Sequence, residues 1–234
     1  MAIIPYLERI VAFNPVYPAN ATEQDTPQRG MRRSEQTGHT VKLLHIDSSI
    51  LDENSASRAL TAGIVARWRR AMPELQVLHR DLAGTHALSH MDGASLAKSD
   101  AAEAARSARV MEDFLAADVI VLGAPMYNFG IPSQLKAWID RIAVAGKTFR
   151  YTADGPQGLA GGKRVVVAAS YGGFHAADAS SNFVEPYLRF VFGFLGIDDI
   201  EFVTVEGLAV SPEQRAAAMS DAHGRIDVAP PLAA

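Results

Sequence analysis

Asp118-Val119-Ile120-Val121-Leu122-Gly123-Ala124 is a near-continuous apolar run, and the loop leaving it, Pro125-Met126-Tyr127-Asn128-Phe129-Gly130-Ile131, sets turn formers beside large planar side chains. An apolar run without polar alternation reads as a strand covered on both faces, as in a parallel sheet between helical layers. Downstream, Pro132 opens a helix to about residue 145, using proline where its missing N–H is harmless. Residues 164–169 then read as a strand, 183–195 as a helix, 200–205 as a strand, and a last helix starts at Pro212. Upstream lie a helix over 101–116, a strand over 75–80, a helix over 57–72 that stops before Pro73, and a strand over 41–47. About five β–α units in series imply an α/β fold: a parallel sheet with helices on both sides.

The chain has 234 residues, enough for one domain with a real core. A formal net charge of -4 gives no support to a duplex nucleic-acid binder, which needs a basic face. There is no cysteine, so disulfides, thiolate catalysis and cysteine-held metal centres are excluded. A reducing cytoplasm is the simplest expectation for such a chain. No apolar run approaches the roughly 18 residues that span a bilayer, and Pro5, Glu8 and Arg9 interrupt the apolar N-terminus, so neither a membrane span nor a signal peptide is expected.

Residues 1–39 differ from the rest. Pro5, Pro15, Pro18 and Pro27 punctuate them, and 24–39 is almost wholly polar. Such a stretch buries too little apolar surface to offset its ordering entropy. It is expected to be a poorly ordered extension, with Met31 as an alternative start, ahead of one domain over 40–234.

Open parallel sheets bind ligands beyond the carboxyl ends of their strands, where strand order reverses. The loop after the first strand, Ser48 to Ser57, is rich in hydroxyls and enters a helix, where unpaired N–H groups and the positive dipole end favour an anion. Ser49, Ser55 and Ser57 can add donors, although any one of them alone reads equally as a helix cap. The loop lacks G-x-G-x-x-G spacing, which disfavours a dinucleotide fold. Asp47, just before it, must turn away from a bound anion or be paired, Arg58 being one partner in reach. In the loop after residue 124, exposed Met126, Tyr127 and Phe129 suit a flat ligand; the bland alternative is a turn whose aromatics cap the core.

At this point a resemblance becomes specific. The segment A-P-M-Y-N-F-G-I-P-S-Q-L-K-A-W-I-D, residues 124–140, resembles the flavin loop of the FMN-dependent NADH:azoreductase (quinone reductase) family. Residues 146–159, G-K-T-F-R-Y-T-A-D-G-P-Q-G-L, are similar to the stretch that follows it there, and Ser170-Tyr171-Gly172-Gly173 resembles the family's third flavin loop. The likeness runs from about residue 41 to 226. It implies a flavodoxin-like three-layer fold with five parallel strands in the order 2-1-3-4-5.

It also implies roles. Ser49 and the Ser55-Ala56-Ser57 turn are expected to hold the phosphate of one FMN per subunit. Met126, Tyr127, Asn128 and Phe129 are expected to line its ring system, and Ser170, Tyr171, Gly172 and Gly173 to approach the pyrimidine side. Family members are homodimers with the active site at the interface, so Phe149 and Tyr151, with Phe129, are expected in the substrate pocket. The implied activity is reduction of quinones and azo compounds with NADH or NADPH by a ping-pong mechanism. A flavodoxin-type electron carrier and an FMN reductase that uses flavin as substrate are the alternatives. Two departures stand out: Ala56, often polar in relatives, offers only its backbone, and Tyr171 stands where some members carry arginine, leaving ligand charge preference open. His175, after the glycine pair, receives no catalytic role.

Two lookalikes are set aside. Gly146-Lys147-Thr148 ends like a P-loop, but Arg141 occupies the required earlier glycine position. His86 and His90 have the spacing of a helical metal pair without the accompanying glutamate, Ala87 standing in its place, and no metal is assigned.

Overall fold

The computed structural model describes residues 40–226 except 98 and 179. The extension expected over 1–39 lies outside the described residues. Along the chain come β1 (Lys42–Asp47), a single 3-10 turn (Asp52–Asn54), α1 (Ala56–Ala71), β2 (Gln76–Asp81), the short α2 (Gly93–Ala97), α3 (Ala101–Ala116), β3 (Val119–Pro125) and α4 (Ser133–Ile142). There follow β4 (Phe149–Thr152), β5 (Gly155–Gly158), β6 (Arg164–Ser170), α5 (Val184–Phe194), β7 (Asp199–Val205) and α6 (Pro212–Arg225).

The run that opened the reading is the central strand, and all seven residues of β3 are buried. β1 and β6 pair with it in parallel, and β2 and β7 form the edges, giving the order β2-β1-β3-β6-β7. Counting only these five strands, this is the expected 2-1-3-4-5. Side chains alternate across the pleat. Leu44, Ile46, Ile120, Leu122, Val165 and Val167 share one core with Phe114 of α3, Trp138 of α4 and Phe192 of α5. Leu43, Val119, Val121, Val166 and Val203 share the other with Leu60, Ile64 and Trp68 of α1 and Ala222 of α6.

Local chemistry sets the helix ends. Ser55 caps α1 by accepting from the Arg58 N–H, and the helix stops before Pro73 because that ring disfavours helical backbone at the preceding residue. α4 begins after Pro132, which has extended backbone (ψ 144°), not at it. It ends at Ile142 and not near residue 145, because the Thr148 hydroxyl takes the Ile142 carbonyl (2.5 Å) and turns the chain. The β4–β5 hairpin was not anticipated: its four-residue strands are too short and too rich in Gly and Pro to show a period. Gly158 anchors it, since a Cβ there would lie 2.1 Å from the Gly196 nitrogen at the end of α5.

Candidate active site

Three loops leave the carboxyl ends of β1, β3 and β6. In the first, Ser48 donates to the Gly123 carbonyl (2.6 Å), fixing the loop to the end of β3. Ser49 is fully buried and its Oγ lies 3.1 Å from the Tyr127 hydroxyl, which also accepts from the Ile50 N–H (3.2 Å). Ser55, Ala56 and Ser57 are buried at the start of α1, with the Ser55 and Ser57 hydroxyls 3.1 Å apart. Amides of a first helical turn have no intrahelical acceptor, so this end presents donors and the positive pole. Arg58 clamps the loop, donating to the Ser49 carbonyl (2.7 and 3.2 Å) and to both Asp81 oxygens (3.0 and 2.8 Å).

In the second loop Tyr127 and Gly130 exchange backbone hydrogen bonds of 2.9 and 3.1 Å around Asn128 and Phe129. Both central residues have positive φ, 48° and 71°, the pattern of a type I′ turn. Asparagine tolerates that region, but for phenylalanine it is an outlier, with a strain on the order of 1–3 kcal/mol. The Phe129 ring is 52% exposed and meets His175 edge-on at 5.8 Å. Met126 and Tyr127 are half-buried, not exposed as expected: Met126 packs on the core, and the Tyr127 hydroxyl is committed to the serine loop.

The third loop joins the second at Ser170, while the Gly172 and Gly173 carbonyls accept from the Ala209 and Gly207 N–H groups (2.9 and 2.8 Å). The Ser170 carbonyl accepts from Met126 N–H (2.9 Å), and the Phe129 carbonyl accepts from Phe183 N–H (3.3 Å). A Cβ on Gly173 would lie 2.9 Å from His175 Nε2, so a larger residue there would push the His175 ring aside. Tyr171 turns the other way. Its side chain is wholly buried with the hydroxyl toward Asn182 (3.5 Å), burial raises its pKa to about 12, and its backbone N–H and carbonyl pair with Val205 and Leu208. The arginine-for-tyrosine difference therefore falls on a core position here.

Phe149 also lies in the core, its ring tilted against that of Phe194 (4.6 Å), while Tyr151, edge-on to it at 5.6 Å, is 57% exposed. Among the described residues no ring contact or hydrogen bond joins this pair to the Phe129 turn. A hollow of about 550 Å³ does adjoin that turn, lined by His90, Gly130, Ile131, Ser133, Lys136, Phe183, Pro186 and Tyr187. The loop patterns did not single out Phe183 or Tyr187, whose helical spacing reads as ordinary core.

Asp47 does pair with Arg58, at the limit of ion-pair distance, but its closer contacts are to other groups. Its carboxylate accepts from the Thr61 hydroxyl (2.8 Å) and lies 2.9 Å from His79 Nε2, whereas the nearest Arg58 nitrogen is 3.9 Å away. Burial opposes its ionisation, but contact with His45 and the Thr61 and His79 hydrogen bonds outweigh it and lower its pKa. His86 accepts from the Asp81 N–H through Nδ1 (3.2 Å).

Residues 41–228 match the family model described as Flavodoxin-like fold. The FMN-dependent NADH:quinone oxidoreductase 1 of Xanthomonas axonopodis pv. citri is 59% identical over 182 residues, covering 78% of this chain and 93% of that protein. The FMN-dependent NADH:quinone oxidoreductase 2 of Bradyrhizobium diazoefficiens is 55% identical over 193 residues, covering 78% and 95%. Among solved structures, an azoreductase from Bacillus anthracis superposes with a TM-score of 0.70 at 26% identity, over 80% of this chain and 97% of that one. The chain belongs to the flavodoxin-like fold family, within the group that contains the FMN-dependent NADH:quinone oxidoreductases.

Proposed function

We propose that this chain is an FMN-dependent oxidoreductase that uses NADH, or NADPH, to reduce quinones and to cleave aromatic azo compounds. The observation that carries the reading is the junction of the serine loop and the aromatic turn through Ser49 and Tyr127, which joins an anion site to a flat-ligand site. The residues fit FMN. The first turn of α1, with the Ser55 and Ser57 hydroxyls, suits the phosphate, and the strained turn exposing Asn128 and Phe129, met by His175 of the third loop, suits a planar ring. When bound, FMN would supply the two-electron redox chemistry that links the nicotinamide to the acceptor.

The chain's own residues do the remainder. Arg58 holds the Ser49 backbone in place, Tyr127 ties the two loops, and His175 supports the Phe129 ring at an edge. The Phe129 ring and the hollow bounded by Phe183 and Tyr187 offer apolar surface on which a nicotinamide or quinone sheds water. Burial raises the Tyr187 pKa to about 12, so the phenol stays neutral, while Lys136, paired with Asp140, lines the same hollow. The exposed Tyr151, Phe174, Phe183 and Phe190 support a homodimer whose second subunit completes the substrate pocket. We place the enzyme in the cytoplasm, in keeping with its lack of cysteine; no helix among the described residues is long and apolar enough to cross a membrane.

The test is anaerobic mixing of the purified flavin-loaded protein with NADH or NADPH, followed by a quinone panel. The expected result is loss of the oxidised flavin absorbance with at least one nucleotide and its return with quinone. Bound flavin that neither nucleotide reduces would leave an electron carrier in its place.

A further inference from the structure

Behind the serine loop lies a second cluster of ligating groups that this function does not use. His45 of β1 and His79 of β2 are register partners across the parallel ladder, and Asp47 stands two residues on from His45, on the same side of the pleat. One ligand atom from each of the three lies within 4.8 Å of the others. Both imidazole Nε2 atoms face one carboxylate oxygen: Asp47 Oδ2 is 2.9 Å from His79 Nε2 and 3.3 Å from His45 Nε2.

The hydrogen bonding around this oxygen is uneven. The other oxygen, Oδ1, accepts from the Thr61 hydroxyl (2.8 Å), which orients the carboxylate with Oδ2 toward the two rings. His45 is only 9% exposed, yet its Nε2 makes no hydrogen bond, the approach to Oδ2 being poorly aligned. A buried polar atom whose contact is too poorly aligned to be a hydrogen bond calls for an explanation, an absent ion being one. Ligand atoms around a tetrahedral ion with bonds of about 2.0–2.1 Å stand roughly 3.3 Å apart, the spacing that Asp47 Oδ2 and His45 Nε2 already have and that His79 Nε2, 2.9 Å from Oδ2, comes near. The His79 side chain is held by Asp47 and by ring contact with His45 (4.5 Å), but it is 48% exposed, and this is the open side from which an ion and a completing water enter.

We propose that His45, Asp47 and His79 form a binding site for a divalent transition-metal ion of the imidazole–carboxylate class, with zinc as its representative. Two nitrogens and one carboxylate oxygen suit zinc, cobalt or nickel and not calcium or magnesium, which prefer all-oxygen shells. Thr61 acts as the outer-shell anchor of the carboxylate. Arg58 opposes the ion, its Nη1 being 3.9 Å from Oδ2, but the Asp81 pair and the Ser49 carbonyl hold it to one side. The same guanidinium connects the cluster to the serine loop, so metal occupancy is felt at Ser49.

The experiment is calorimetric titration of the full-length, flavin-loaded protein with zinc chloride, alongside His79→Ala, Asp47→Asn and a His86→Ala/His90→Ala control. Folding of each variant is checked by thermal melting. One zinc per chain should bind to the wild type and to the control, and affinity should fall about tenfold or more in His79→Ala. Because His79 is a surface side chain, that variant should fold even if Asp47→Asn does not. Magnesium in place of zinc should give no heat at this site. No saturable zinc binding by the wild type, affinity within about threefold of wild type in folded His79→Ala, or loss of binding in the control would each overturn the proposal.

Discussion

The Tyr127 hydroxyl lies 3.1 Å from Ser49 Oγ and accepts from the Ile50 N–H, so the loop after β1 and the loop after β3 are joined 78 residues apart in sequence. A neutral hydrogen bond contributes about 0.5–1.5 kcal/mol. Tyr127→Phe removes this tie without removing the ring. We expect FMN affinity, read by fluorescence titration of the apoprotein, to fall roughly 3- to 10-fold with little change in melting temperature. An unchanged affinity would mean that the serine loop holds its shape through Arg58 and the Ser48–Gly123 hydrogen bond.

Ser55 and Ser57 are separable. The Ser55 hydroxyl also caps α1, so Ser55→Ala is expected to cost about 1 kcal/mol of domain stability along with affinity. Ser57→Ala leaves that cap in place and should weaken FMN binding while urea unfolding of the apoprotein stays near wild type. Losing both hydroxyls from a charged phosphate should cost roughly 3 kcal/mol, on the order of a hundredfold in affinity. A loss under about threefold would assign the phosphate to backbone amides and the helix terminus.

Phe129 at φ 71° provides a comparison of two truncations. Phe129→Ala loses the ring and keeps the unfavourable backbone, whereas Phe129→Gly loses the ring and relieves it, so the glycine variant should be the more stable by about 1 kcal/mol. Both should raise KM for quinone more than they lower retained FMN, since other contacts hold the cofactor. Equal melting temperatures for the two would show that the turn carries no strain.

The layers and their order were legible because β3 is buried on both faces and so lacks polar alternation, and because the caps and prolines that end the helices are local signals. The serine loop and the aromatic turn were legible as separate motifs. Their junction was not, because a contact between Ser49 and Tyr127 leaves no trace in spacing. Tyr171 and Phe149 read as site residues from their place in motifs, yet both pack inward; an aromatic beside a glycine pair looks the same in sequence whether it faces a ligand or the core. His45 and His79 are 34 positions apart and become neighbours only through the parallel register of β1 and β2.

Glu103 ties α3 to α4. Its carboxylate pairs with the buried Arg141 and with Arg106 (2.9 Å). Burial alone would raise its pKa, but hydrogen bonds from Arg141 and Arg106 prevail and lower it. A carboxyl with a depressed folded-state pKa contributes stability above its unfolded value and loses it as pH falls through the folded one. Urea midpoints should therefore decline as pH is lowered from about 7 to below about 4, and Glu103→Ala should flatten that decline. At neutral pH this variant should lose roughly 3–5 kcal/mol, because Arg141 is left buried and uncompensated. An unaltered pH profile would move the acid sensitivity to other carboxylates.

A single apolar face beside Phe129, bounded by the hollow at Phe183 and Tyr187, leaves little room for a nicotinamide and a quinone together. Both must reach the same ring, so they compete for that face. The direct test is the initial-rate pattern when NADH is varied at several fixed quinone concentrations. Parallel double-reciprocal lines, with inhibition by high quinone that NADH relieves, are the predicted result. Intersecting lines, with a ternary complex trapped by a dead-end inhibitor, would contradict a shared face and place the two substrates in separate sites.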